Sequence, residues 1–353
     1  MSIHVRSIIL KYYGVIVVIK MKPLNPEFSE VCDPIQSGKS IPVIDFRKTE
    51  TTELLAKEIG NACREWGFFQ IVNHGISEKN IKELWSSTQN FFSLPKGQKR
   101  SLNRTSENPW GYFDHELTKT KRDKKEIFDI GPANDPSVLD PFSGVTPWPE
   151  SHPIFQRTMQ DHFETCEILS LKIMDAICVS LGLDKNHLDG CFRPNHTSFL
   201  RLNYYPVEDP LSDLENEERE DAGLGVHHHT DSGAVTILCQ DDIGCLQVFK
   251  DDSWLPIEPI KDALVINIGD MVQVWSNGKY KAAMHRVVAM EQADRYSIPF
   301  FFNPSYETVV SPLTNNDGKN LYNNIHWGDF RRRRADGDYA NIGKEVQISD
   351  YLI

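Results

Sequence analysis

The spacing of apolar side chains changes character near residue 198. Upstream, Thr52 precedes a run carrying Leu54, Leu55, Ile59 and Cys63, and Phe155 to Leu181 sets Met159, Phe163, Ile168, Leu171, Met174, Ile177 and Leu181 three to five residues apart. That spacing collects apolar side chains on one face of a 3.6-residue turn, so both segments are predicted helices, the second ending at Gly182. Ile41 to Phe46 and Gly67 to Gly75 have strand composition instead. Downstream, short apolar runs alternate with turn signals: Ser198 to Tyr205, Ala234 to Cys239, Cys245 to Phe249, Trp254 to Ile257 and Ala263 to Ile268. This is the pattern of an antiparallel barrel or jelly roll. Asn277-Gly278 predicts a hairpin between Val272 to Trp275 and a strand carrying His285. The acidic stretch Glu208 to Asp221 reads as an exposed loop near the mouth of the barrel.

The pattern divides the 353 residues into an extension (1–40), an N-terminal region (41–150), a long helix leading to the core (151–195), the β-rich core (196–310) and a C-terminal segment (311–353). Hydrophobic residues at 40% and charged residues at 25% suit a globular protein with a sizeable core. A net charge of -12 and a pI near 5.5 argue against a nucleic-acid-binding surface. The one basic run, Arg331 to Arg334, is followed by Asp336 and Asp338 and reads as a solvated or ion-paired segment. Seven cysteines, odd in number and without a C-x-x-C pair, fit a reducing cytoplasmic compartment. Residues 7–19 are apolar, yet Lys11 interrupts them, and the stretch falls short of the roughly 20 residues that a spanning helix needs. Met21 is a natural start, so the first twenty residues are expected to be dispensable.

The chemistry concentrates at three positions. His229 and Asp231 stand two residues apart, which in an extended strand turns both to one side, and His285 lies on a later predicted strand. Two imidazoles and one carboxylate form a set that holds Fe(II) on one face and leaves the opposite positions open. A lone histidine on an apolar strand is more often a buried core residue, and H-x-D alone is a weak signal. Arg295 and Ser297, sharing one face of the next predicted strand, strengthen it. A guanidinium fork and a neighbouring hydroxyl suit the far carboxylate of a dicarboxylic acid whose other end chelates the metal. His227 is read as packing beside the site and His74 as structural. Arg201, on the face of Asn203, is a candidate for a substrate carboxylate or a structural ion pair. Of Phe300 to Phe302, one face is expected to line the substrate chamber, with Phe302 the candidate contact.

These residues sit within a longer series: P-V-I-D-F at 42–46, G-F-F-Q-I-V-N-H-G at 67–75, N-Y-Y-P at 203–206, H-T-D-S-G at 229–233, N-I-G-D at 267–270, S-N-G at 276–278, H-R-V at 285–287 and R-Y-S at 295–297. In this order they resemble the iron(II)- and 2-oxoglutarate-dependent dioxygenases of the isopenicillin N synthase-like group, over roughly Ile41 to Pro304. The resemblance implies a mainly β fold with flanking helices, a double-stranded β-helix (jelly roll) core and a helical N-terminal part. It implies His229, Asp231 and His285 as iron ligands, and Arg295, Ser297 and Tyr205, with Asn203 in support, as the groups holding 2-oxoglutarate. One departure is local: where the family often has serine ahead of the distal histidine, this chain has Lys281-Ala282-Ala283-Met284-His285. The expected reaction consumes O2 and 2-oxoglutarate, releases succinate and CO2, and oxidises, most simply by hydroxylation, a small organic metabolite. Ascorbate is a candidate stimulant. A monomer without nucleic-acid or membrane partners is expected. The rival readings are an iron oxidase of the same fold that works without 2-oxoglutarate, forming rings or ethylene, and a catalytically silent small-molecule-binding barrel.

Overall fold

A computed structural model of the chain describes residues 7–12, 15–20, 40–47, 51–118, 121–132, 144–211, 224–313, 319–339, 343–344 and 346–353. Most of the extension expected at 1–40 and most of the acidic stretch 208–221 lie outside them. The chain divides into two compact units, 1–39 and 40–353. In the first, Ser7–Tyr12 and Val15–Lys20 pair as an antiparallel hairpin. Among the described residues no helix is long and apolar enough to cross a membrane.

Two facing sheets organise the second unit. The larger has eight strands in the order Val43–Asp45, Phe68–Val72, Leu264–Ile268, Val235–Gln240, Arg295–Phe302, Phe199–Tyr205, Glu126–Ile130 and Gly111–Phe113. The smaller has four, Leu224–His229, His285–Val288, Leu246–Lys250 and Ser253–Pro256. Neighbours in space are distant in sequence and almost all antiparallel, as in a jelly roll.

Helices cover the outer face of the large sheet. Thr52–Glu65 begins where the Thr51 hydroxyl accepts the Leu54 N–H at 3.2 Å, and it ends at Trp66 and the positive-φ Gly67. Pro153–Ser180 starts with proline in its first turn and stops before Gly182, at φ 80°. Met159, Phe163, Met174 and Ile177 from this helix join Ile59, Ile237, Ile266 and Phe300 in one core. Ile168, counted in the apolar series, is 71% exposed, since the helix buries a narrower stripe than the spacing suggested.

The predicted hairpin at Asn277-Gly278 is replaced by the helix Asp270–Trp275. Its valines read as strand by composition, but Met271, Val272, Val274 and Trp275 are all buried, and packing overrides their β preference. Asn277 and Gly278 both take positive φ, the conformation of a tight hairpin, and here it closes the helix: Gly278 N–H donates to Gln273 O at 2.9 Å.

Candidate active site

His229 is the last residue of its strand and is paired in register with His285, their ring centroids 4.3 Å apart. Asp231 lies two residues beyond, in the connection to the next strand rather than in the strand itself. That connection is held from below: Asp270 N–H donates to Asp231 O at 2.8 Å and Met271 N–H to Gly233 O at 3.0 Å. The approach needs glycine on both sides. A Cβ on Gly269 would stand 2.3 Å from Gly233 O, and one on Gly233 1.9 Å from Asn303 Oδ1.

Hydrogen bonds fix which atoms face inward. His229 Nδ1 donates to His227 O at 2.7 Å and His285 Nδ1 to Ala283 O at 3.1 Å, which turns both Nε2 atoms to the centre. Thr236 Oγ1 and Asn267 Nδ2 donate to Asp231 Oδ2 at 2.5 and 2.7 Å. The remaining Oδ1 faces His229 Nε2 at 3.5 Å and His285 Nε2 at 3.6 Å. All three donor atoms lie within 4.8 Å of one another. Burial, and then neighbouring His229, push His285 down to about 4. Burial alone would raise the Asp231 carboxyl, but the two imidazoles and Asn267 outweigh it and hold it well below the usual carboxylate range. Two imidazole nitrogens and a carboxylate oxygen that converge in this way fit a divalent cation.

A second group lies on the adjacent strands of the large sheet. Arg295 pairs in register with Tyr205 and Ser297 with Asn203. Arg295 is fully buried; its Nε donates to Gly244 O at 2.6 Å, its Nη2 lies 3.5 Å from Gln240 Oε1, and its guanidinium is 4.9 Å from the Tyr205 ring centroid. Its Nη1 is buried without a hydrogen-bond partner, as is Asn203 Oδ1, while Asn203 Nδ2 donates to Ser297 Oγ at 3.3 Å. A buried guanidinium with an unused donor is costly unless an acceptor arrives, and a carboxylate is the acceptor that suits it. Both groups open onto one cavity of about 420 Å³, within the size range of small-molecule sites.

Comparison with known proteins now decides the family. Residues 41–151 match the non-haem dioxygenase N-terminal family, described from morphine synthesis, and residues 196–304 match the 2OG-Fe(II) oxygenase superfamily. Protein DMR6-LIKE OXYGENASE 1 of Arabidopsis thaliana is 32% identical over 83% of this chain and 80% of its own length. The chain belongs to the 2OG-Fe(II) oxygenase superfamily. It is similar also to a 1-aminocyclopropane-1-carboxylate oxidase of Musa acuminata, 35% identical over 77% of this chain and 85% of that one. Among solved structures, JOX2 in complex with 2OG, Fe and JA superposes with a TM-score of 0.74 at 26% identity, covering 89% of this chain and 90% of that one. The protein is thus an Fe(II)- and 2-oxoglutarate-dependent dioxygenase with a jelly-roll core.

Other expected residues of the oxygenase fall differently. Arg201 lines the cavity, but its guanidinium is committed: Nε and Nη2 bond both oxygens of Asp129 at 2.7 Å, and Nη1 lies 3.0 Å from Glu116 Oε1. Phe302 does not line the cavity; it is fully buried and stacks on Phe192 at 4.3 Å, while alternation along the strand turns Phe301 inward. The basic run proves to be split by helical spacing. Arg331 and Arg334 line the cavity, whereas Arg332 bonds Asp329 at 3.0 Å and Arg333 bonds the Tyr351 hydroxyl at 3.2 Å. His227 is buried with Nδ1 3.0 Å from Asp123 Oδ1, and His74 bonds Asp262 O at 2.8 Å, outside the cavity lining. Sequence reasoning gave no role to Thr236 or Asn267, although N-I-G-D marked the latter, and missed Glu116, Asp129 and Trp110 in the cavity wall.

Proposed function

We propose that His229 Nε2, Asp231 Oδ1 and His285 Nε2 hold Fe(II), and that Arg295, with Ser297, Tyr205 and Asn203, takes the far carboxylate of 2-oxoglutarate, so that the protein hydroxylates a small organic molecule. The observation that carries the reading is the buried, unpartnered Nη1 of Arg295 opening onto the cavity that also receives the three convergent donor atoms. When bound, iron and 2-oxoglutarate supply oxygen activation coupled to decarboxylation to succinate and CO2 and to oxidation of a substrate carbon.

The chain's own residues orient and exclude. Thr236 and Asn267 fix one oxygen of Asp231 and so aim the other. The carbonyls of His227 and Ala283 hold the rings. Gly244 O and the Tyr205 ring restrain the Arg295 guanidinium, leaving it no rotational freedom to lose on binding. Phe68, 5.2 Å from the His285 ring, and Leu238, Leu246 and Val287 make the surroundings apolar, which keeps water away and strengthens each charge-assisted contact. No nucleophile or general base is needed. The free thiols among the described cysteines support a reducing, cytoplasmic setting, and the reading includes a monomer with no nucleic-acid or membrane partner.

The test is anaerobic titration of the Fe(II)-loaded protein with 2-oxoglutarate, followed by the visible charge-transfer band. The wild type is expected to give the band, and Arg295→Ala to need roughly 10- to 100-fold more 2-oxoglutarate, the loss of one charge-assisted contact. Absence of any band in iron-loaded wild type would overturn the reading.

A further inference from the structure

The superfamily match ends at residue 304, yet a side chain beyond it reaches the metal group. Arg334 closes the helix Trp327–Arg334, is buried and lines the cavity. Its Nη2 donates to Thr230 O at 3.2 Å, and Thr230 is the single residue between His229 and Asp231. Its Nη1 donates to Val346 O at 3.1 Å and to Gln347 Oε1 at 2.8 Å. A guanidinium holds its donors in a rigid plane, so one side chain can span two backbone segments and fix the distance between them.

The far end of this strut is firmly seated. Trp327, Phe330 and Val346 are buried in the main core. The Trp327 indole N–H donates to Thr197 Oγ1 at 2.8 Å, its backbone N–H to Thr308 O at 2.9 Å, and the Gly328 N–H to Tyr306 O at 3.0 Å. At the near end, Arg334 takes the carbonyl of Thr230 while the Asp270 N–H takes that of Asp231 at 2.8 Å. These carbonyls belong to the two peptide planes that flank the Asp231 Cα. Because each plane is rigid, holding both carbonyls fixes the direction in which the Asp231 side chain leaves the backbone. The Arg334 charge also opposes the cost of burying the Asp270 carboxylate, so the same cation supports the second hold.

We infer that Arg334 is a positioning residue for the metal: by holding the Thr230 carbonyl it aims Asp231 relative to His229 and makes the C-terminal segment part of the metal site. The inference rests on the assignment of His229, Asp231 and His285 as ligands. It leaves the Arg295 pocket untouched.

The experiment reads iron affinity by anaerobic equilibrium dialysis against Fe(II), and the 2-oxoglutarate requirement by the charge-transfer band at saturating iron. Arg334→Met is expected to weaken Fe(II) binding about 10-fold or more. Once iron is saturating, its half-saturating 2-oxoglutarate concentration should be that of the wild type, whereas a merely loosened protein would lose both. Arg334→Lys keeps the charge without the fork and should retain part of the iron affinity, and it carries the test if Arg334→Met does not fold. Trp327→Phe removes the bond to Thr197 and loosens the helix without touching Thr230, so its iron affinity should match the wild type. Circular dichroism checks the folding of each variant. Wild-type iron affinity in whichever Arg334 variants fold overturns the inference. So does a loss in Trp327→Phe equal to that in Arg334→Met, or a 2-oxoglutarate requirement that rises in parallel with the loss of iron. Failure of both Arg334 variants to fold also overturns it, since Arg334 is then a structural residue. A wild-type protein that takes up no Fe(II) is the separate failure of the ligand assignment.

Discussion

Asn267 Nδ2 donates to Asp231 Oδ2 at 2.7 Å, reaching from a strand of the eight-stranded sheet to the loop that leaves the four-stranded one. The contact ties the two sheets together at the metal group, and with Thr236 it leaves a single Asp231 oxygen facing the histidines. Removing it leaves every proposed ligand in place but unaims one of them. Asn267→Ala is therefore expected to weaken Fe(II) binding about 10- to 100-fold. Anaerobic iron titration, with circular dichroism to verify folding, checks this. Unchanged iron affinity would show that the Asp231 carboxylate is oriented by something else.

A second prediction concerns acid stability. His162 sits buried in the helix Pro153–Ser180, and burial pushes its imidazole down from 6.5 to about 4. The unfolded chain therefore binds a proton between these two values that the folded protein refuses, and stability falls as pH drops through that window. From pH 7.5 to pH 5 the loss due to this residue is about 2 kcal/mol. His162→Gln should lose correspondingly less over the same interval. Denaturant unfolding of both proteins at the two pH values measures the difference, and parallel losses would contradict the assignment.

Legibility from sequence followed locality. The i, i+2 rule put Arg295 and Ser297 on one face, and the structure adds Tyr205 and Asn203 opposite them in register. The long helix ending at Gly182 and the strand runs after residue 198 were readable because each element's periodicity is its own. The helix Asp270–Trp275 was not, since its six residues are too few to show a period and its burial is decided by distant partners. Nor was the substrate wall. Arg104, Glu116 and Trp110 lie in irregular or very short segments, and Arg331 differs from Arg332 only in the face that a docked helix turns inward.

Phe301 and Phe302 provide a contrast within one strand. Phe302 is wholly enclosed against Phe192 and His196, so Phe302→Ala leaves a cavity in the main core and is expected to cost about 3–5 kcal/mol of stability. Phe301 borders open cavity, where water fills the space released, and Phe301→Ala should cost less than half as much while altering which small molecules bind. Chemical denaturation of the two variants gives the comparison. Equal costs would mean that both rings are core.

Arg201 offers the sharpest separation between a structural and a substrate-binding arginine. If it held substrate, Arg201→Met would raise KM and leave stability nearly intact. Its two 2.7 Å bonds to Asp129 and its contact with Glu116 predict the reverse. Removing one partner strands buried charge, so Arg201→Met and Asp129→Leu should each destabilise by about 3–5 kcal/mol. The double variant should lose less than the sum, because it strands neither of these two groups against the other, and a coupling of at least 1 kcal/mol is expected from a pair in direct contact. A denaturation double-mutant cycle reads that coupling. Stable single variants, or costs that simply add, would return Arg201 to the list of groups that contact substrate.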